Sequence, residues 1–250
     1  MSDLDRLRAA INAAQHLVAL TGAGVSTLSG IRDFRGKNGL YQEAKWERLF
    51  DLDYFDTNPE FYYENSAGLV YDLDDKQPSL VHRSLAALER QGKLKALITQ
   101  NIDLLHQKAG SKNVIEAHGS PAIHYCRRCG EATKSAMAYA EICALVRDKK
   151  LPRCPRCGAV LKPAITFFGE NLPENALRAA QTHAEHADLL LVLGTSLTVY
   201  PLAAVPQITL RRGGKIVIVN DAATTLDAAA WMKFADLAAV FSQLDRLDNG

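Results

Sequence analysis

Six short apolar runs spaced along the chain constrain its fold more than any other feature. They lie near 16–20, 94–99, 113–117, 163–167, 188–193 and 215–219, and helical stretches stand near 3–14, 79–91, 103–109, 173–184, 201–211 and 237–246. Apolar runs of this length, not alternating with polar residues, fit strands covered on both faces. Strands that alternate with helices in this order imply an α/β fold built on a parallel sheet. Two segments interrupt the alternation. One is the aromatic-rich stretch from Tyr41 to Tyr71, read as helical, and the other is 126–157. The division expected is a larger domain of 1–35, 72–125 and 158–250, and a small domain of 36–71 and 126–157.

The first run, His16 to Leu20, enters Thr21-Gly22-Ala23-Gly24-Val25-Ser26-Thr27, a strand followed by a glycine turn. Glycines let backbone approach a pyrophosphate, and the amides that open the next helix face its charge, so the larger domain reads as Rossmann-like with helices on both sheet faces. The spacing is incomplete, because Thr27 stands where a third glycine would be, and an ordinary tight turn is the alternative. The second run, Leu94 to Ile98, enters Thr99-Gln100-Asn101-Ile102-Asp103-Leu104-Leu105-His106. Amides and a carboxylate at the carboxyl end of a buried strand sit where α/β sheets bind ligands. The alternative is a cap, with Asn101 or Asp103 opening a helix near Leu104.

Cys126-Arg127-Arg128-Cys129 and Cys154-Pro155-Arg156-Cys157 are two CxxC pairs at a separation that suits a four-thiolate zinc site. Four thiolates fill the coordination sphere and leave no position for water or substrate, so the zinc expected here is structural. Cys143 falls between the pairs and reads as a small apolar residue on a short helix.

With 250 residues, 48% hydrophobic and a net charge of +1, the chain is long enough for one core with a small insert, and no charge excess calls for nucleic acid or membrane lipid. The charged N-terminus lacks a signal-peptide core, and no apolar run reaches the about 20 residues of a membrane span. A cytoplasmic location is expected, in keeping with thiols spaced for metal.

Taken together these motifs resemble the sirtuins, NAD-dependent protein lysine deacylases of the bacterial and archaeal type. The resemblance rests on Gly22-Ala23-Gly24-Val25-Ser26, Gly30-Ile31-Arg32-Asp33-Phe34-Arg35, Thr99 to Asp103, His118-Gly119, both CxxC pairs, Phe168-Gly169-Glu170-Asn171, Gly194-Thr195-Ser196 and Val219-Asn220, in family order over almost the whole chain. It implies a deacetylase that moves the acyl group from lysine to ADP-ribose, releasing nicotinamide and O-acetyl-ADP-ribose, with NAD as co-substrate. The cofactor contacts implied are Gly22, Ala23, Gly24, Ser26, Thr27, Asp33, Phe34, Arg35, Gln100, Asn101, Ile102, Asp103, His118, Gly194, Thr195, Ser196, Asn220 and Asp221. Among them Ile102 would shape the nicotinamide pocket, Asp103 accept the carboxamide protons and Asn101 hold a water or ribose hydroxyl. His118 is the general base for a ribose hydroxyl, and Asn101 the second catalytic residue. His106, like His82 and His124, reads as structural. Phe34, Thr166, Phe168, Gly169, Glu170 and Val199 would contact the acyl-lysine peptide, bound as an added strand. The partners implied are acylated-lysine proteins, with no nucleic acid or membrane, and the chain is expected to act as a monomer.

Three positions depart from the family pattern. Arg32 replaces the proline before Asp33, and Thr166 replaces a valine ahead of Phe168. Family members that prefer acidic acyl groups carry a tyrosine and an arginine three residues apart; here Tyr62 matches but Asn65 stands at the arginine position. A buried acyl carboxylate would lack its cation, which implies a neutral acyl group such as acetyl. Protein ADP-ribosylation and removal of longer neutral acyl groups are the alternatives, and a zinc-ribbon module binding nucleic acid through Arg127, Arg128, Arg153 and Arg156 is the non-enzymatic one.

Overall fold

The computed structural model describes residues 1–33, 39, 43–73, 75–130 and 137–248. They divide into two compact units, one of Met1–Asp33, Gln77–Ala117 and Glu174–Gly250, the other of Phe34–Lys76 and His118–Pro173. Among the described residues no helix is long and apolar enough to cross a membrane.

The first unit is built on a six-stranded parallel sheet. Its strands are β1 (Leu17–Thr21), β2 (Leu94–Thr99), β3 (Val114–Glu116), β6 (Leu189–Leu193), β7 (Lys215–Val219) and β8 (Met232–Phe234), in the spatial order β3-β2-β1-β6-β7-β8. All five residues of β1 and of β6 are buried, as their unbroken apolar runs require. The helices that cover the sheet include α1 (Asp3–Ala13), α6 (Leu80–Arg90), α9 (Glu174–His186), α10 (Val205–Arg211) and α11 (Leu237–Asp248). Ser2 opens α1 by accepting the Asp5 N–H while Asp5 accepts the Ser2 N–H, and the helix then buries Leu7 and Ile11 in the core. The chain winds outward from β1 through β2 to β3, then returns to β6 on the other side of β1. Strand order therefore reverses between β1 and β6, the place where open α/β sheets bind ligands.

In the second unit, three short helices, α3 (Ala44–Leu49), α4 (Leu52–Thr57) and α5 (Pro59–Ser66), lead into a π-helical turn, Ala67–Tyr71. The strands β4 (Gly119–Tyr125) and β5 (Lys162–Ile165) pair antiparallel, and α8 is Tyr139–Arg147. The run at 163–167 was expected in the parallel sheet. It pairs with β4 instead, and this places His118–Pro173 in the second unit as one stretch rather than 126–157 alone. The other insert is helical as expected. Its aromatic residues form the core, with Phe50, Phe55, Tyr62, Tyr63, Tyr71 and Phe167 in mutual edge or tilted contact. Cys143 is buried on α8.

Folding buries three histidines, His82, His106 and His124. Desolvation pushes His82 down to about 4 and His124 to about 3, and holds His106 well below its ordinary value. The unfolded chain binds protons on these rings near pH 6.5, so their contribution is complete above that pH and is lost as pH falls toward the folded values. Each adds a slope of up to about 1.4 kcal/mol per pH unit in that window. The melting temperature should therefore drop steadily from about pH 7 to about pH 5, and a flat profile would contradict their burial as neutral rings.

Candidate functional site

Each central strand ends in a polar or glycine turn, and in the first unit these turns meet over the β1–β6 reversal. After β1, Gly22 and Ala23 lead into the single-turn helix α2 (Gly24–Thr27). Gly22 N–H bonds Leu193 O at 3.0 Å and Gly24 N–H bonds Gly194 O at 2.9 Å, so the glycine turn lies directly on the end of β6. A Cβ on Gly24 would stand 2.7 Å from Gly194 Cα, and one on Gly194, whose φ is +60°, would stand 2.7 Å from Val25 N. The glycines are thus needed for the two strand ends to approach one another, a demand additional to any ligand's.

The segment after β2 is tied into that turn. Asn101 Nδ2 donates to Gly22 O at 3.0 Å and to Ser26 Oγ at 3.1 Å, and Asn101 N–H donates to Thr99 Oγ1 at 3.0 Å. Asp103 accepts the Ser26 hydroxyl at 2.6 Å on one oxygen and the Leu105 N–H at 2.9 Å on the other, which opens α7 (Leu105–Lys108). Asp103 thereby holds the turn into α7 and the Ser26 hydroxyl at once. Burial raises its carboxyl above the usual range, and the bonds from Ser26 and Leu105 oppose that shift. Ile102 is buried beside it. Gln100 Nε2 donates to Thr195 Oγ1 at 3.0 Å, linking the β2 loop to the β6 loop, where Ser196 and Thr198 hydroxyls meet at 2.9 Å. Asn220 and Asp221 follow β7; Asn220 Nδ2 donates to Ala222 O, and Asp221 accepts the Ala222 N–H. Thr27 turns its hydroxyl onto Gly24 O. Gly22, Ala23, Gly24, Ser26, Thr27, Gln100, Asn101, Ile102, Asp103, Gly194 and Thr195 are thereby brought together. Asp33 is half-buried, and Phe34 and Arg35 lie outside the described residues. Val199 belongs to the same unit and accepts the Ala203 N–H.

In the second unit His118 precedes β4, half-buried, with its carbonyl accepting the Thr166 N–H at 2.8 Å. Gly119, at φ +75°, has no room for a side chain, because a Cβ there would lie 1.9 Å from Ala164 O. The bare backbone lets β4 cross β5 and sets where His118 stands relative to Thr166. Beyond Thr166, Phe167 is buried while Phe168 is 47% exposed. Phe168 bonds Phe50 O and Leu52 N–H through its own backbone, so the segment already has a neighbour on one edge.

Glu170 takes a role that the sequence did not reveal. Its carboxylate accepts from Lys162 Nζ at 2.7 Å and from Phe167 N–H at 2.8 Å, and Tyr125 and Arg127 lie on the same group. Lys162 is fully buried, donates also to Ile165 O at 2.8 Å, and sits 3.9 Å from the Phe167 ring centre. Burial lowers its pKa and Glu170 opposes the shift. The pair clamps the loop 166–170 from below. Removing one partner of a buried pair costs about 3 kcal/mol or more. Lys162→Met should destabilise the protein by that order and raise KM for peptide more than for NAD; unchanged stability by chemical denaturation would refute the clamp.

The four cysteines converge as their spacing suggested. The Sγ atoms of Cys126, Cys129, Cys154 and Cys157 all lie within 4.8 Å of one another, and Cys126 and Cys157 are 3.5 Å apart. Tetrahedral zinc with bonds of about 2.3 Å separates its sulfurs by about 3.8 Å, so the donor set fits the ion. The two knuckles have one construction. Gly130 N–H bonds Cys126 O and Gly158 N–H bonds Cys154 O, with the glycines at φ +71° and +72°.

An α/β nucleotide-binding sheet with a glycine turn at its reversal point, together with a unit carrying paired cysteine knuckles, defines the class. Residues 22–201 match the Sir2 family, and the chain belongs to it. It is 44% identical to an NAD-dependent protein deacetylase of Thermotoga maritima, over 90% of this chain and 89% of that one. It is 45% identical to NAD-dependent protein deacetylase 1 of Pyrobaculum aerophilum, over 90% and 86%. Among solved structures it resembles a Sir2 with a deacetylated p53 peptide and 3'-O-acetyl ADP ribose, at TM-score 0.88, 41% identity and 99% and 98% coverage. A Sir2Tm bound to a propionylated peptide superposes at TM-score 0.85, with 39% identity over 99% and 98% of the two chains.

Proposed function

We propose that this chain is an NAD-dependent protein lysine deacylase that removes acetyl and similar neutral acyl groups. The observation that carries the reading is the lock between Asn101, Gly22 and Ser26 at the strand-order reversal, where the relatives' printed activity requires a dinucleotide. The α2 amides face the pyrophosphate, Gln100 and Asn101 hold ribose hydroxyls or the water beside them, and Ile102 and Asp103 hold nicotinamide by its ring and carboxamide. By the family pattern Asp33, Phe34 and Arg35 are NAD contacts, Thr195 and Ser196 contact its ribose and phosphates, and Asn220 and Asp221 take the adenosine ribose. The acyl oxygen attacks the ribose carbon as nicotinamide leaves. His118 then removes a proton from a ribose hydroxyl, which attacks the former amide carbon; the lysine amine leaves with that proton, and a water adds to the same carbon to give O-acetyl-ADP-ribose.

By the family pattern the acyl-lysine peptide lies along Thr166 to Gly169, with the Thr166 carbonyl taking the lysine amide proton, and Phe34 and Val199 are further substrate contacts. Glu170 supports that strand from below. Tyr62 is 1% exposed and shares its hydroxyl with Tyr71, while Asn65 Nδ2 donates to Phe61 O, so neither is set to receive an acyl carboxylate. This supports the neutral preference. Cys126, Cys129, Cys154 and Cys157 hold a structural zinc. The protein works as a cytoplasmic monomer on acylated proteins, with no nucleic acid or membrane partner.

NAD labelled in its adenylate and mixed with acetyl peptide tests the reaction class. Label should appear on free O-acetyl-ADP-ribose. Label retained on protein would replace deacylation with ADP-ribosyl transfer.

A further inference from the structure

Behind the Asn101 segment lie two buried histidines that the reaction does not use. His106, on α7, places Nε2 3.0 Å from Thr21 Oγ1, and Thr21 spends its only hydroxyl proton on Thr99 Oγ1 at 3.0 Å. Nε2 of His106 must therefore carry a proton and donate it to Thr21. Thr99 Oγ1 in turn accepts the Asn101 N–H. The result is a hydrogen-bonded relay from α7 through the ends of β1 and β2 to the backbone of Asn101, with Thr99 Oγ1 accepting from both sides.

His82, on α6, anchors the other loop. Its Nδ1 accepts the Ser79 N–H at 3.2 Å and lies 2.7 Å from Ser79 Oγ, while that hydroxyl also reaches Val25 O at 3.0 Å in the glycine turn. Ser79 therefore stands between the His82 ring and the glycine turn, its one hydroxyl proton bonding Val25 O. Among the described residues His82 Nε2 and His106 Nδ1 have no hydrogen-bond partner. Their rings lie 4.5 Å apart at 52°.

We propose that His82 and His106 are positioning residues that hold the glycine turn and Asn101 together in the geometry NAD binding requires. The proposal rests on the NAD site described above. Both rings are kept neutral by burial.

The test compares His106→Phe, Thr21→Val, their double variant, His106→Gln and His82→Phe by NAD titration calorimetry, steady-state kinetics and thermal melting. His106→Phe and Thr21→Val should each weaken NAD binding about tenfold with KM for acetyl peptide unchanged, and the double variant should be no worse than either, because both break one relay. His106→Gln, which returns an N–H donor, should recover most of the loss, and His82→Phe should weaken NAD similarly. Additive effects in the double variant would overturn the relay. Lowered melting with unchanged NAD affinity would overturn positioning and leave packing alone. If His106→Phe does not fold, the near-isosteric Thr21→Val decides by itself, since unchanged NAD affinity there refutes the proposal. Should the unsubstituted protein bind NAD yet release no nicotinamide with acetyl peptide, the deacylase reading fails, and the NAD affinities still decide on the pair.

Discussion

Asn101→Ala will abolish acetyl-peptide-dependent nicotinamide release, and His118→Ala will lower steady-state peptide deacetylation by at least about a hundredfold, in proteins that still fold. A general base contributes roughly 10²- to 10⁴-fold, and misplacing a reacting group by about 1 Å costs a similar factor. Asn101 carries both risks, because its side-chain N–H groups fasten Gly22 O and Ser26 Oγ while its backbone is held by Thr99. Losing those bonds should cost about 1–3 kcal/mol of stability, a loss visible in melting but smaller than unfolding. Asn101→Asp is the sharper probe, since a carboxylate cannot donate to a carbonyl. Nicotinamide release in Asn101→Ala, or peptide deacetylation in His118→Ala, within about threefold of the unsubstituted rate, well inside the factor a general base supplies, would remove that residue from the mechanism.

The second large effect belongs to the metal. Structural zinc supplies about 10 kcal/mol or more of binding free energy that is also folding free energy. Among the described residues the two knuckles in the second unit enclose Cys126, Cys154 and Leu161 as buried core, with Met137 and Ala159 packed at its edge, which is little apolar area to hold the knuckles together. Purified protein should contain one zinc per chain. Cys126→Ser should lose it, melt well below the unsubstituted protein and lose activity, and chelation should reproduce the effect. A zinc-free Cys126→Ser protein with unchanged melting and turnover would contradict a structural role.

What could be read from the chain, and what could not, follows from the range of the interactions. The central strands were legible because burial on both faces leaves unbroken apolar runs, and the knuckles because metal geometry fixes cysteine spacing. β8 was missed: Met232-Lys233-Phe234 is an edge strand of three residues with Lys233 exposed, too short and too mixed to carry a pattern. β5 was recognised as extended but given to the wrong sheet, since Lys162-Pro163-Ala164-Ile165 does not encode its partner; the decisive contact is at Gly119, far away in sequence. At the site, Asn101 and Asp103 announced themselves as polar residues ending a strand. Lys162 did not, because a lone lysine beside a proline gives no sign that it will be buried against Glu170. The signal that could have found it was its place in an otherwise apolar stretch two residues after Val160. His82 and His106 were read as structural, and nothing in the chain marks their contacts with Ser79 and Thr21, which arise from residues distant in sequence or hidden by burial.

The central claim is that NAD consumption and lysine deacylation are one reaction in this protein. The most direct measurement follows nicotinamide release and peptide mass together, with NAD and matched acetyl, propionyl and succinyl peptides. Acetyl peptide should lose its acyl mass in step with nicotinamide, one for one, and the succinyl peptide should be the slowest. Nicotinamide released while peptide mass stays unchanged, or rises by an ADP-ribosyl group, would contradict the account.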